Sequence, residues 1–540
     1  MLFNSQRFLF LFLPITMLGF HLLGRYGRRP VIAWLGIASV YFYSVWNPVF
    51  VFFLLGSILA NYLAAWAIAA APEDSERRRR LLFVGVTINL LALFYFKYLF
   101  KLLLLATSLH LSAVHPSPVL LPLGISFFTF TQISYLVDLA QGQAERQDFL
   151  SYLLFVTFFP HLIAGPILHH KEMMPQFGKV RPEDEATNLD QALTPVPPSR
   201  RFALKPADVS LGLTWFLMGL AKKVLIADNL SHTADVAFAH SGSLTVFSAI
   251  TGVVTYSMQL YFDFSGYSDM ALGLARIFSI RFPLNFDSPF KATSVTEYWQ
   301  RWHMTLTRYI TLYLYNPLLL AVQRKRVASG KKISRKSLAT PAGFTAMVAY
   351  PTIVTMLLTG LWHGAGLQFL VFGLIHGVYL TANQAWRHFR QRVHNAPAPV
   401  PPTGGLRLAL MLGVYLQVTF ALIFFHSTSM HAAFALLHDL AGAHGVGTMS
   451  ALLDGSLAFA LFPVVWFMPN TQQILGQEAS TEVPMPGPAA PSTLSHEQAP
   501  TLFPRIRWSP TLGWGLIMAA LFFAVLVQLN PNATFLYFQF

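Results

Sequence analysis

Long apolar runs separated by short polar loops are the main pattern along this chain. One of them, residues 337–386, contains no Asp, Glu, Lys or Arg over 50 positions, which is long enough for two membrane crossings of about 20 residues each. Inside a lipid bilayer the backbone must satisfy its own hydrogen bonds, so runs of this length predict helices. The apolar runs lie at about 8–24, 31–46, 49–71, 81–105, 119–139, 150–168, 209–226, 244–262, 343–361, 366–386, 406–426, 452–468 and 511–530. The pattern predicts an all-α polytopic membrane protein with about 11–13 transmembrane or re-entrant helices.

The composition supports the same class. Hydrophobic residues make up 54% of the chain and charged residues 11%, whereas soluble domains carry about 25% charged residues. The chain has no cysteine, which excludes disulfides, thiolate metal ligands, a cysteine nucleophile and S-acylation. No small-residue cleavage site follows the apolar stretch at 8–23, so we expect a retained first helix and not a removed signal peptide.

The net charge of +14 is concentrated in short loops at 25–29, 77–80 and 324–336. Basic loops beside membrane spans follow the positive-inside rule, which here predicts cytoplasmic loops and an external N-terminus. The clusters therefore indicate contact with membrane lipid and no nucleic-acid partner, with specific binding of a lipid or a donor molecule as the alternative.

Three segments contain several prolines among polar or small residues and predict flexible loops: 169–207, 394–405 and 472–509. We find no internal repeat and no soluble catalytic domain in the sequence. Residues 1–540 are therefore expected to form one membrane domain, with any chemistry done in or at the membrane.

A polar stretch at 256–318 stands between apolar segments, and Pro283 and Pro289 interrupt any long helix there. Irregular backbone at membrane depth is tolerated where protein buries it or water reaches it, so this stretch predicts the wall of a polar cavity. Its candidate substrate-binding or tunnel-lining residues are Tyr261, Asp263, Tyr267, Asp269, Asn285, Tyr298 and Trp302, to which Trp362 is added from the later uncharged run.

Two histidines, His303 and His363, each follow a tryptophan in these stretches. An ionisable side chain at membrane depth indicates a functional site, and imidazole is the natural base near neutral pH. Without a cysteine or a Gly-x-Ser-x-Gly elbow, direct attack by a hydroxyl on an activated acyl group is the natural reaction. A hydrogen-bonded structural histidine is the alternative for each.

Other polar residues have structural interpretations. The carboxylates of Asp263, Asp269 and Asp287 are expected to pair with arginines, namely Arg276, Arg281 or Arg301. Lys222 and Lys223 are expected to anchor an amphipathic helix at the cytoplasmic face, with donor phosphate binding as the alternative. No metal site is predicted, since His363 and His376 are 13 residues apart and the pair His169–His170 lacks partner ligands.

Taken together, several motifs resemble those of the membrane-bound O-acyltransferase family, within the branch that includes the alginate O-acetylation membrane subunit. They cover nearly the whole chain: 122–138, 158–167 (Phe-Phe-Pro-His-Leu-Ile-Ala-Gly-Pro-Ile), 261–271 (Tyr-Phe-Asp-Phe-Ser-Gly-Tyr-Ser-Asp-Met-Ala), 285–290, 299–303 (Trp-Gln-Arg-Trp-His), 360–366 (Gly-Leu-Trp-His-Gly-Ala-Gly), 468–473 and 535–540. One segment departs from the pattern: 311–320 lacks the Arg-Asp pair and the two glycines usual in relatives acting on alginate.

The resemblance implies a helical bundle with a funnel or tunnel across a bacterial inner membrane. It makes His363 the principal catalytic residue, expected to be the base, and His303 the second, expected to position the acyl group or acceptor; the two roles could be exchanged. It implies no permanently bound cofactor, and an acyl donor that is acetyl-CoA or an acyl-carrier thioester. The acceptor would be a secreted polysaccharide or a periplasmic esterase-like partner protein. The alternatives are D-alanyl transfer to teichoic acid and a non-enzymatic transporter of polymer or ions.

Overall fold

The computed structural model describes residues 1–109, 117, 119–177, 202–394, 402–476, 501, 503, 506–530 and 535–536. These residues form helices and no strand, which confirms the all-α class. The main helices are α1 (Phe8–Tyr26), α2 (Arg28–Ser44), α3 (Pro48–Ala70), α4 (Glu76–Ser108), α5 (Ile125–Ala140), α6 (Phe149–Thr157), α7 (His170–Phe177), α8 (Pro206–Ala239), α9 (Val246–Ile277), α10 (Val295–Arg301), α11 (Met304–Ile310), α12 (Asn316–Ala328), α13 (Pro341–His363), α14 (Leu367–His394), α15 (Gly404–His426), α16 (Met430–Leu440), α17 (Met449–Phe467) and α18 (Leu512–Gln528).

Seven helices in the described part of the chain are long and apolar enough to cross a membrane: α1, α3, α4, α8, α13, α15 and α17. Two shorter apolar helices, α5 and α18, add to them. The chain is thus a multi-pass membrane protein, as its hydropathy pattern indicates. The expected total of about 11–13 transmembrane or re-entrant helices stays a prediction, because helix length alone does not identify re-entrant or shorter membrane segments.

Side-chain caps begin two of the long apolar helices. Asn47 caps α3 by accepting a hydrogen bond from the backbone N–H of Val49 at 2.9 Å, and Pro48 occupies the first helical position. Ser75 caps α4 by accepting from the N–H of Arg78. These caps satisfy helix N-terminal donors at the tight turns that separate consecutive apolar runs.

Helices α8 and α9 approach each other closely because glycines face each other across their interface. A Cβ atom on Gly219 would lie 2.5 Å from the carbonyl oxygen of Gly266, too close for any side chain. Small residues allow this packing where lipid supplies no hydrophobic driving force between helices. The approach buries most of α9, including its polar residues.

That interface contains an ion-pair cluster, which we define as Lys222, Lys223, Asp228, Asp263 and Asp269. Lys223 Nζ lies 2.5 Å from Asp263 Oδ1 and 2.8 Å from Asp228 Oδ1. Lys222 Nζ lies 2.6 Å from Asp269 Oδ2. Two expectations were wrong: Asp263 and Asp269 pair with lysines and not with arginines, and the lysines point into the protein and not toward a membrane surface. The adjacent carboxylates compensate the charge of the buried lysines.

A second close approach joins α13 and α14. A Cβ atom on Gly360 would lie 2.2 Å from the carbonyl oxygen of Phe369, and one on Gly373 would lie 2.3 Å from that of Met356. Because both helices can pack backbone to backbone, side chains on their shared face reach the same space. This face carries His363 and His376.

Most of the three segments expected to be flexible lies outside the described residues, at 178–201, 395–401 and 477–500. The described ends are partly helical. Helix α7 occupies the start of the first segment, and α8 begins at Pro206 near its end.

Candidate active site

Three histidines line one cavity inside the bundle: His303, His363 and His376. All three are buried, with exposed fractions of 1%, 7% and 1%. The remaining lining residues are apolar or aromatic: Leu260, Phe264, Tyr298, Trp299, Trp302, Leu306, Phe372, Val418, Leu422 and Phe425. Among the residues that the structure describes, no carboxylate, lysine or arginine lines this cavity.

The imidazole of His303 is held in one tautomer by Asn285. The amide nitrogen of Asn285 donates to Ser268 Oγ at 3.0 Å, so its oxygen faces His303 Nδ1 at 2.9 Å. The same oxygen accepts from the hydroxyl of Thr305 at 2.9 Å. Because an amide oxygen accepts only, Nδ1 carries the proton and Nε2 keeps its lone pair. Nε2 is buried and has no hydrogen-bond partner in the described part of the chain.

The backbone of His303 adopts the left-handed conformation, with φ +44° and ψ +52°. This region is costly for a residue other than glycine, by about 1–3 kcal/mol, and such residues cluster at functional sites. The loop before α11 holds the strained residue in place: Arg301 lies 2.7 Å from Asp287 and 3.0 Å from Glu297. The expected pairing of Asp287 with Arg301 is therefore confirmed.

His363 is the last residue of α13, and α4 caps that helix end. The hydroxyl of Tyr98 donates to the carbonyl oxygen of Leu361 at 2.8 Å, and Lys97 Nζ donates to the carbonyl oxygen of Trp362. A cation at a helix C-terminus also interacts favourably with the helix dipole. The ring of His363 lies edge-on to Phe425 at 5.0 Å and to Phe372 at 5.9 Å between centroids. Hydrogen bonds to the end of its helix and aromatic contacts to its ring thus both hold His363 in place.

His376, on α14, is a cavity residue that the sequence analysis did not identify as catalytic. The indole nitrogen of Trp299 donates to its Nδ1 at 3.2 Å. Its ring also lies 4.8 Å from that of Phe372, which separates it from His363. One signal could have found it: His376 lies in the same uncharged run as His363, where any ionisable residue indicates function.

The other predicted site residues fall into two groups. Tyr298 and Trp302 line the cavity with their rings stacked at 5.7 Å, and Tyr261 and Trp362 pack beside it against Trp302 and His363. The second group lies elsewhere along α9. Tyr267 packs against Phe3 at 5.0 Å and Phe535 at 4.5 Å, while Asp263 and Asp269 belong to the ion-pair cluster.

A separate buried network contradicts the expectation that the pair His169–His170 lacks a partner ligand. Asp138 Oδ2 lies 2.6 Å from His169 Nε2 and 3.4 Å from His170 Nδ1, and it accepts from the hydroxyl of Tyr313 at 2.8 Å. Asp138, His169 and His170 are of the residue types that bind metal ions, and their ligand atoms lie close together. The backbone N–H of Lys171, however, donates to His169 Nδ1 at 3.3 Å. The proton of neutral His169 is therefore on Nε2, which faces Asp138, and we interpret Asp138, His169 and Tyr313 as a hydrogen-bond network.

Comparisons with known proteins identify the family of the chain. The model of the membrane-bound O-acyltransferase family matches residues 32–340, which include His303. The chain is 34% identical to the Peptidoglycan O-acetyltransferase of Helicobacter pylori over 477 residues, covering 83% of this chain and 81% of that protein. It is 31% identical to the Probable alginate O-acetylase AlgI of Pseudomonas aeruginosa, over 100% of both chains. Similarity to the Teichoic acid D-alanyltransferase of Streptococcus thermophilus is lower, at 25% over 56% of this chain and 67% of that protein.

The family match covers more than half of the chain, and the alginate relative aligns along its whole length. Both histidines identified from the Trp-His pairs lie in one cavity of an all-helical membrane protein. The chain therefore belongs to the membrane-bound O-acyltransferase family, and it is an acyltransferase.

Proposed function

We propose that this protein transfers an acetyl group to hydroxyls of a secreted polysaccharide, directly or through a periplasmic esterase-like partner. The donor would be a cytoplasmic thioester, acetyl-CoA or an acyl carrier, and the membrane the bacterial inner membrane, with the N-terminus outside. The full-length similarity to an alginate O-acetylase and the 34% identity to a peptidoglycan O-acetyltransferase support a glycan acceptor. The observation that carries the proposal is the meeting of His303 and His363 in one buried cavity.

The cavity chemistry favours acetyl over D-alanyl. A D-alanyl group carries an ammonium, and a buried cation requires a paired carboxylate or comparable acceptor. No acidic residue lines the cavity in the described part of the chain, whereas leucine, valine and aromatic side chains do. A small neutral acyl group fits such a lining at lower cost. The lower identity and coverage of the D-alanyltransferase relative point the same way.

The tautomer of His303 favours the exchanged assignment of the two catalytic roles. Its Nε2 has the lone pair that a general base needs. In this proposal the acceptor hydroxyl gives its proton to His303 Nε2, and its oxygen forms a bond to the thioester carbonyl carbon. The carbon–sulfur bond then breaks, and the departing thiolate takes the proton from the imidazolium. His363 positions the acyl group or the acceptor.

The test is the O-acetyl content of secreted polysaccharide, measured by proton NMR in a deletion strain. The strain is complemented with wild type or with His363→Ala, at matched levels of membrane protein. We expect acetyl signals to return only with wild type. Acetylation that is unchanged by the deletion would contradict the proposed function, and acetyl signals restored equally by His363→Ala would contradict the catalytic role of His363.

A further inference from the structure

The cavity contains a third histidine whose hydrogen bonding is opposite to that of His303. The indole of Trp299 is a hydrogen-bond donor only, so its bond at 3.2 Å makes His376 Nδ1 the acceptor. Neutral His376 must then carry its proton on Nε2. His303 has its proton on Nδ1 and its lone pair on Nε2. The same buried space therefore contains one imidazole that accepts a proton and one that donates a hydrogen bond.

Acyl transfer needs such a donor. When a hydroxyl oxygen attacks a thioester carbonyl, the carbonyl oxygen becomes an oxyanion, and prearranged donors stabilise it strongly in a site that excludes water. Among the described residues that line the cavity, the side-chain donors besides the three histidines are the indoles of Trp299 and Trp302 and the hydroxyl of Tyr298. The indole N–H of Trp299 is already engaged with His376.

We infer that His376 is a further catalytic residue, whose Nε2–H donates a hydrogen bond to the oxyanion of the tetrahedral intermediate. The inference rests on the proposed function. Attack forms the carbon–oxygen bond and moves the carbonyl electron pair onto oxygen, where His376 stabilises it. The pair returns when the carbon–sulfur bond breaks, so His376 neither gains nor loses a proton. Trp299 is a positioning residue that holds His376 in the donating tautomer.

Two variants of similar size separate this role from simple packing. His376→Gln places an amide nitrogen near the former Nε2, while His376→Asn, one methylene shorter, places it near the former Nδ1. Each variant is purified in lipid nanodiscs, with acetyl-CoA as donor and alkali-deacetylated secreted polysaccharide as acceptor. We expect His376→Asn and His376→Ala to lower kcat about 10²- to 10³-fold with little change in KM. We expect His376→Gln to recover a large part of that loss.

A second measurement does not depend on turnover. Nitrogen NMR of protein labelled with [¹⁵N]histidine, with the signal assigned by its loss in His376→Asn, reports which ring nitrogen carries the proton. We expect protonated Nε2 in wild type, and a perturbed Nδ1 signal in Trp299→Phe, which lacks the indole donor. A proton on Nδ1 of His376 in wild type would overturn the inference whatever the turnover of the variants.

The outcomes also distinguish this inference from the proposed function. If wild type transfers acetyl and His363→Ala does not, but the Gln and Asn variants of His376 have equal kcat, the donor role is wrong and the function stands. If the wild-type protein restores no acetyl to the secreted polysaccharide of the deletion strain, the proposed function is wrong, and the oxyanion role of His376 falls with it.

Discussion

Two buried polar regions pack against α9, and they differ in whether their ionisable groups are paired with groups of opposite charge. In the ion-pair cluster, each lysine nitrogen lies within 2.8 Å of a carboxylate oxygen. Asp269 also accepts from Trp215 and Thr471, and Asp263 accepts from the backbone N–H of Leu536. In the imidazole cavity, His303 Nε2 has no hydrogen-bond partner in the described part of the chain.

This difference indicates that the ion-pair cluster is structural and that the imidazole cavity is catalytic. A buried polar atom without a partner costs free energy, so its retention calls for an explanation such as catalysis. A buried carboxylate beside a lysine needs no such explanation, because the ion pair accounts for its burial and removing one partner costs stability. Both regions are rich in ionisable residues in the sequence, and only the pairing distinguishes them.

The largest expected effect is the loss of transfer when either imidazole is removed. His303→Ala and His363→Ala should each lower the rate of acetyl transfer by about 10²- to 10⁴-fold, the range for a general base. Because the two act as a unit, the double variant should be little slower than the worse single variant. Initial rates in nanodiscs measure this. Losses that multiply in the double variant would show that the two histidines act independently.

The ion-pair cluster should respond in the opposite way. Lys223→Met leaves Asp263 and Asp228 buried without their cation, which should lower the free energy of unfolding by about 3–5 kcal/mol. Thermal unfolding in detergent measures the change, with the exposed Lys332→Met as the matched control. Turnover per folded molecule should stay at the wild-type value. A stable Lys223→Met protein without activity would assign the cluster a catalytic role.

A smaller effect is expected at the residue that fixes the tautomer of His303. Asn285→Ala removes the acceptor of the Nδ1 proton and should lower kcat about tenfold, the equivalent of one hydrogen bond. Asn285→Asp keeps an acceptor oxygen at this position and should retain more activity than Asn285→Ala. If the alanine variant is as active as wild type, Asn285 does not position the base.

The smallest effect is expected in the network of Asp138, His169 and Tyr313. Tyr313→Phe removes one hydrogen bond to Asp138 and should lower the free energy of unfolding by about 1 kcal/mol, with acetyl transfer retained. Thermal unfolding with and without added Zn²⁺ checks the interpretation of the network. A zinc-dependent rise of the midpoint in wild type, absent in His169→Ala, would instead identify a metal site.

The sequence predicts the fold class and the two Trp-His histidines because these features depend on local pattern. An uncharged run long enough to span a bilayer predicts a helix regardless of the neighbouring segments. A histidine in such a run is costly to bury, which indicates a functional role. Both signals are read within a few residues of His303 and His363. Their meeting in one cavity follows from the family resemblance, since 60 positions separate them in the chain.

Partners across helices could not be predicted in the same way. In the sequence alone, Lys222 and Lys223 resemble residues that anchor a helix at the membrane surface. The close glycine contact that turns them toward α9 involves two helices, so it cannot be predicted from either segment by itself. The bond between Trp299 and His376 joins residues 77 positions apart, and that between Tyr313 and Asp138 joins residues 175 apart. Hydrogen bonds between residues so far apart in sequence depend on tertiary packing, so the tautomers that they fix are visible only in the structure.

The most direct test of the contrast between the two regions compares His303→Ala with Lys223→Met in the same assay. Acetyl transfer per folded molecule and the midpoint of thermal unfolding are measured for both, in nanodiscs and with acetyl-CoA as donor. We predict that His303→Ala keeps the wild-type midpoint and loses transfer at least about 10²-fold, while Lys223→Met has a lower midpoint and wild-type turnover. Wild-type transfer by a correctly folded His303→Ala protein would contradict the account.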